Sequence, residues 1–281
     1  MSSEYILEVE NLVKRYQVQR VDRPGHEVFT AVDDISFALR RGGSLGVLGE
    51  SGSGKSTTVR VIVGLETLTS GTVRVNGEPW KLDGNVGTRV RRQRGSVVQM
   101  VFQDPYQSLN RRQSVAACLD EALRLHTDLR KAARAERIKQ LAHQVHIPES
   151  LLASYPRALS GGQRQRVAIA RALAANPKLL LLDEAVSALD VSVQGQVLEL
   201  LEEIRRTTGV ALLFISHDLA VVQRVCDEVV VMRNGKIVES GPIPDVLGNP
   251  QSEYTRRLIA SIPRRGWKPR RSLNTTMAVK Q

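Results

Sequence analysis

The sequence predicts an α/β fold organised around a phosphate-binding loop. Three observations carry that prediction. The segment GESGSGKST, Gly49 to Thr57, stands between an apolar run, GSLGVLG, and a run that reads as helix. Two runs with apolar centres, KLLLLDE and VALLFISHD, flank an amphipathic helical pattern, as buried strands of an α/β sheet do. Between Gln103 and Ser160 strand patterns stop and helical ones take over, so a helical insert divides the alternating elements.

The elements follow in order. Residues 5–9, YILEV, alternate like a strand, and QVQRVDRPGHE around Pro24-Gly25 is polar and reads as a loop. AVDDISFAL and GSLGVLG read as strands, the second running straight into the glycine loop. TTVRVIVGL is β-branched enough for a strand, but a phosphate loop needs a helix N-terminus behind it, so helix is expected. GTVRVNG is a short strand with a turn at Asn76-Gly77. SVAACLDEALRLH and RKAARAERIKQLAHQV are helical, ending near Pro148, and QRVAIARALAAN is a helix stopped by Asn176-Pro177. KLLLLDE is a buried strand. VLELLEEIRRTTG places Val197, Leu200, Leu201 and Ile204 on one helix face and stops at Gly209. VALLFISHD is a further buried strand, and EVVVMRNGKIVESG is a hairpin turning at Asn234-Gly235. Beyond Asp245, YTRRLIASI is helical. The basic tail RRGWKPRRSLNTTMAVKQ is expected to be largely disordered.

Bulk properties narrow the function. The 281 residues are 42% hydrophobic and only 4% aromatic, so a sizeable core must be built from Val, Leu, Ile and Ala. Forty Lys and Arg against 29 Asp and Glu give a formal charge of +11, which favours acidic partners. The basic clusters lack interleaved aromatics, so no nucleic-acid partner is expected. Cys118 and Cys226 stand in unrelated contexts, which predicts neither a cysteine metal site nor a disulfide. MSSEYILEVE has no charged-then-apolar signal pattern, and no apolar run reaches the roughly 20 residues of a membrane helix, so a membrane role is expected through partners.

Four sites carry chemistry. GESGSGKST matches G-x-x-x-x-G-K-[ST]. Gly49, Gly52 and Gly54 let the backbone of Glu50, Ser51 and Ser53 curl so that N–H groups face phosphates. Lys55 adds charge, and the Ser56 hydroxyl, followed by Thr57, can ligate Mg²⁺. In LLLLDE, Asp183 can hold Mg²⁺ through water and Glu184 can polarise an attacking water. His217 follows a buried strand at the sheet end where α/β proteins bind ligands, suited to a terminal phosphate. Together these read as an NTPase. The fourth site is LSGGQ: Ser160, Gly161 and Gly162 open a helix with free N–H groups, a second phosphate-facing turn.

Gly49–Thr57, Gln103, LSGGQ, LLLLDE, SALD and His217 occur in the order expected of ATP-binding-cassette (ABC) ATPases, which the chain resembles over about residues 5–262. The resemblance implies a P-loop NTPase (RecA-like) core with an N-terminal antiparallel β-subdomain, over 1–102 and 161–244. It implies an inserted helical subdomain over 103–160 and a C-terminal extension over 245–281. It implies ATP and Mg²⁺, with Mg²⁺ met by Ser56, Gln103 and Asp183. It also implies two cassettes dimerised head to tail, so that Ser160, Gly162 and Gln163 serve the partner's nucleotide and Asp190 of SALD crosses the interface. By the same resemblance Tyr16 stacks on adenine, and Gln103 couples the site to a membrane subunit.

QDPYQSLN, YPRALSGGQRQRVAIARAL, SALDVSVQGQVLELL and the ending NPQSEYTRRLIASIP resemble the ATPases of oligopeptide, dipeptide and nickel importers, the second of the two such systems usually carry. This implies a sister cassette as partner (or a second copy), two transmembrane permeases, an extracytoplasmic solute-binding protein and a peripheral position on the cytoplasmic side of the inner membrane. Rival readings are an ABC ATPase for another solute, an exporter, or a non-transport ABC ATPase acting on nucleic acid or ribosomes. Among the departures from the pattern, Ala185-Val186 replaces Pro-Thr after the acidic pair, and Ser252-Glu253 replaces His-Pro before Tyr254-Thr255.

Overall fold

The computed structural model describes residues 4–19, 25–82, 84, 86–104 and 108–261. The expected disordered tail, Pro24 and the centre of the QDPYQSLN string therefore lie outside the described residues. Two sheets form the framework. A four-stranded antiparallel sheet has the order β2-β1-β4-β5, with β1 Tyr5–Gln19, β2 His26–Arg40, β4 Ser70–Val75 and β5 Glu78–Pro79. A six-stranded sheet has the order β10-β9-β3-β8-β7-β6, with β3 Ser44–Leu48, β6 Val98–Val101, β7 Leu179–Asp183, β8 Ala211–Ser216, β9 Glu228–Arg233 and β10 Lys236–Pro242. Its strands are parallel except at the β9–β10 hairpin. The fold is that of a P-loop NTPase with an antiparallel β-subdomain.

The apolar runs explain why the second sheet is central. Successive side chains of a strand point to opposite faces. Leu180 and Leu182 enter one core with Leu212 and Phe214, whereas Leu179 and Leu181 enter another with Leu213 and Ile215. A strand buried on both faces must be apolar at every position, hence LLLL. Each such leucine contributes about 1.5–3 kcal/mol on burial. The first core lies under the helices; the second lies between this sheet, the antiparallel sheet and α1 (Lys55–Ile62).

The helical side holds α3 (Val115–His126), α4 (Lys131–Gln144), α5 (Gly161–Leu173), α6 (Val191–Thr208) and α7 (Leu219–Val225). α6 buries Val197, Leu200, Leu201 and Ile204 as its periodicity demands and ends at Gly209 with φ 69°. Asn76-Gly77 and Asn234-Gly235 both adopt left-handed backbone, as two-residue hairpin turns require. Two short helices, α8 (Ile243–Gly248) and α9 (Glu253–Ala260), close the described chain. The 244/245 boundary expected for the C-terminal extension falls inside α8.

Three local findings depart from the sequence reading. The stretch read as a polar loop is strand on both sides, to Gln19 and from His26, paired Gln17↔Val28 and Gln19↔His26. Main-chain pairing continues there past the core, where side-chain polarity does not oppose a strand. A helix, α2 (Thr88–Val97), and strand β6 occupy a region that gave no signal. No α2 residue is buried, so it has no apolar stripe to read.

Candidate active site

Register brings the chemistry together. Leu48 of β3 pairs with Ser216 of β8, Ile215 of β8 with Asp183 of β7, and Leu182 of β7 with Val101 of β6. The segments that follow β3, β7 and β8 begin with Gly49, Glu184 and His217, and Gln103 stands second after β6, so all four emerge at one edge of the sheet. This is the carboxyl edge, where α/β sheets place ligands.

The loop from Gly49 to Gly54 needs its glycines for two reasons. Gly52 and Gly54 have φ 81° and 102°, which favours glycine. A Cβ on Gly49 would stand 2.3 Å from the Met232 carbonyl oxygen, and one on Gly54 would stand 2.5 Å from that of Ala31. The loop is thus seated between β9 and β2. The Ser53 carbonyl accepts from Gly235 N–H at 3.0 Å. Lys55 is buried and turns back into its own loop, donating from Nζ to the carbonyls of Gly49 at 2.7 Å and Glu50 at 2.8 Å. Burial lowers its pKa against the pull of Glu184, Asp183 and Glu50.

Asp183 is shifted the other way. Burial and the neighbouring Glu184 raise its pKa, opposed by Arg60, Lys55 and the Ser56 hydroxyl that hydrogen-bonds to it. Ser56 and Asp183 therefore set two hard oxygen donors side by side. That donor set fits Mg²⁺, which takes one or two protein oxygens and completes its shell with water and phosphate. Glu184 has left-handed backbone, φ 48°, an uncommon conformation for a non-glycine residue. Its N–H bonds to the Ile215 carbonyl at 3.0 Å. Its Oε1 lies 3.3 Å from Nδ1 of His217.

Gln103 reaches the same cluster indirectly. Its Nε2 donates to Ser187 Oγ at 3.3 Å, and Ser187 Oγ donates to the Glu184 carbonyl at 2.9 Å. Gln103 also lines a 360 Å³ cleft with Arg60, Phe102 and Asp183. Tyr16, on β1, hydrogen-bonds to the Thr57 side chain, with Lys14 Nζ 4.7 Å from its ring centroid. The adenine-stacking candidate thus touches the end of the phosphate loop.

The LSGGQ turn is built separately. Ser160 caps α5: its Oγ accepts from Gln163 N–H at 3.2 Å, and Gln163 Oε1 accepts from Ser160 N–H at 2.9 Å. This capping box holds the helix entrance rigid. Gly162 has a packing role that its sequence context did not reveal: a Cβ there would lie 2.4 Å from Val193 Cγ1 on α6. Asp190 is exposed at the N-cap position of α6. The replaced pair Ala185-Val186 is buried in the helical-side core.

One contact was missed altogether. Tyr254 on α9 accepts, through its hydroxyl, from Glu50 N–H at 3.1 Å. The signal lay in the Tyr-Thr of the ending NPQSEYTRRL, a motif with no chemistry of its own.

The ABC transporter family profile matches residues 32–187. The glutathione import ATP-binding protein GsiA of Salmonella paratyphi A is 45% identical over 268 residues, covering 94% of this chain and 42% of the relative. The protein of the same name from Escherichia coli K12 is 44% identical over the same shares. The chain thus spans about two fifths of the length of the curated relatives it matches. Among solved structures, cbiO1 from Clostridium perfringens, part of the ABC transporter complex cbiONQ, aligns with TM-score 0.75 and 27% identity over 93% of this chain and 97% of that one. The ATP-binding cassette MJ0796, in a dimeric post-hydrolysis state bound to ADP and Pi, aligns with TM-score 0.73 and 25% identity over 84% and 98%.

Proposed function

The chain belongs to the ABC transporter family, and from that premise we propose that it is the ATP-binding subunit of an importer, hydrolysing ATP to ADP and phosphate to drive peptide uptake. The observation that carries this reading is the convergence of Lys55, Asp183, Glu184 and His217 at one sheet edge. Lys55 and Asp183 are both pushed toward their neutral forms there. A polyphosphate beside Lys55 and a cation beside Asp183 favour the charged form of each. Relatives that import glutathione, itself a small peptide, support the substrate class.

In this reading Gly49–Thr57 hold the phosphates and Tyr16 meets the adenine. Glu184 orients water for attack, with its carboxylate held by His217. Lys55 and His217 stabilise the charge that develops on the transferred phosphoryl group. Ser56, Asp183 and Gln103 hold Mg²⁺, which neutralises phosphate charge. Ser160, Gly161, Gly162 and Gln163 serve the nucleotide of a second cassette, a sister chain or another copy, and Asp190 crosses the same interface. The dimer bound to ADP and Pi supports that arrangement for a related cassette.

Residues 1–102 and 161–244 form the ATPase core in this proposal, and 103–160 the helical part that docks on two permeases. A solute-binding protein outside the cell selects the cargo. No described helix is long and apolar enough to cross a membrane. By its likeness to cassettes of membrane transporter complexes, we assign it a peripheral position on the cytoplasmic side, held by the permeases.

The test measures ATP hydrolysis by this chain alone, then with a candidate sister cassette and its permeases in lipid. Ser160→Arg is expected to cut the activity of the mixture by about 10²-fold, the usual loss for a donor facing developing charge. ATP binding to this chain should survive. Strong activity of the chain alone, indifferent to Ser160→Arg and to permeases, would overturn the importer dimer.

A further inference from the structure

The ending NPQSEYTRRL returns to the site from the far end of the described chain. Pro250 follows α8, and Glu239 on β10 then catches the chain, accepting from Gln251 N–H at 2.7 Å and Ser252 N–H at 3.1 Å. Thr255 is fully buried and Tyr254 nearly so, which seats α9 against the sheet. The Tyr254 ring lies under the Arg233 guanidinium, 4.9 Å from its centroid, and Arg233 ends the strand whose hairpin turn also bonds the phosphate loop. The Tyr254 hydroxyl then meets Glu50 N–H.

Glu50 N–H and the Gly49 carbonyl belong to one peptide unit. Such a unit is planar, so fixing one end fixes the other. Tyr254 holds the N–H end, and the carbonyl end accepts from Lys55 Nζ. We infer that Tyr254 is a positioning residue for nucleotide binding: through the Gly49–Glu50 peptide it sets where the Lys55 ammonium rests. The inference builds on the ATP reading and assigns a role to the C-terminal Tyr-Thr motif. Without the hydroxyl, the peptide is free to turn about its flanking bonds, and Gly49, lacking a side chain, offers little resistance. Lys55 then loses a fixed acceptor and the loop must be ordered by the nucleotide itself.

Tyr254→Phe keeps the ring and its stacking on Arg233 but removes the acceptor. We expect Mg·ATP to bind about three- to tenfold more weakly, the scale of one neutral hydrogen bond. The KM for ATP should rise in step, with kcat within about twofold, and the melting temperature without nucleotide should fall by no more than a few degrees, the cost of one hydrogen bond. Tyr254→Ala should add a loss of stability from the missing ring. Arg257→Gln, on the exposed face of the same helix, serves as the control that leaves binding unchanged. If Tyr254→Phe binds Mg·ATP like the wild type while Tyr254→Ala does not, the residue is packing only and the inference falls. If the wild type itself fails to bind Mg·ATP, the ATP reading has failed instead, so the two failures are distinguishable.

Discussion

At the amino end of the six-stranded sheet a single arginine joins three segments. Arg205, on the last turn of α6, donates to the Gly42 carbonyl at 2.9 Å, to Ser44 Oγ at 2.6 Å and to Asp227 Oδ2 at 2.5 Å. Ser44 and Asp227 exchange further bonds between main chain and side chain. Here the charged groups are paired. At the carboxyl end of the same strands, Lys55 is buried among carbonyls, Asp183 is raised by burial and a neighbouring carboxylate, and Glu184 holds an uncommon backbone conformation. One set of strands thus supports two different electrostatic regimes. The amino end ties together strands whose register brings the side chains of the carboxyl end to one place.

Breaking one end at a time separates their tasks. The largest effect is expected from Glu184→Gln. Hydrolysis should fall by about 10²–10⁴-fold, the usual contribution of a general base, while ATP affinity and melting temperature stay near wild type. Normal turnover in single-turnover assays would remove Glu184 from the chemistry. Arg205→Ala attacks the other end. Loss of a charged, part-buried network should cost about 1–3 kcal/mol of stability, which is several degrees in Tm for a chain of this size, without changing the KM for ATP. A raised KM at unchanged Tm would show that the two ends are not separable.

The smallest effect concerns Glu239. Burial works against its charge, but the Thr255 hydroxyl, the N–H groups of Gln251 and Ser252, and Arg256 outweigh it and lower its pKa. A depressed carboxylate stabilises the folded state above its unfolded pKa, and that contribution is lost as pH falls through the folded value. Melting curves from pH 6 down to below 4 should show a loss under about 1 kcal/mol, because the half-buried carboxylate is still partly screened by solvent. In Glu239→Gln this loss should be absent.

Much of this site was legible because its chemistry is written in contiguous strings. GESGSGKST, LLLLDE and FISHD each sit on a strand whose apolar run announces it, and hydrophobic register then does the assembly. What escaped reading lacked a local signal. α2 buries nothing, and β6 is only four residues long. The hairpin extension beyond Tyr16 is exposed on both faces in most places, so its polarity mimicked a loop. The folding back of Lys55, the fit of Gly162 against Val193 and the contact of Tyr254 with Glu50 depend on segments distant in sequence.

That last distance matters while the chain is being made. Glu50 and Tyr254 are 204 residues apart. At the usual 5–20 residues per second, about 10–40 s of synthesis separate the loop from its tether. The nascent chain therefore carries a phosphate loop long before it carries the residue that holds that loop in place. The tyrosine then meets a loop whose surrounding strands, from β1 to β10, have already been laid down.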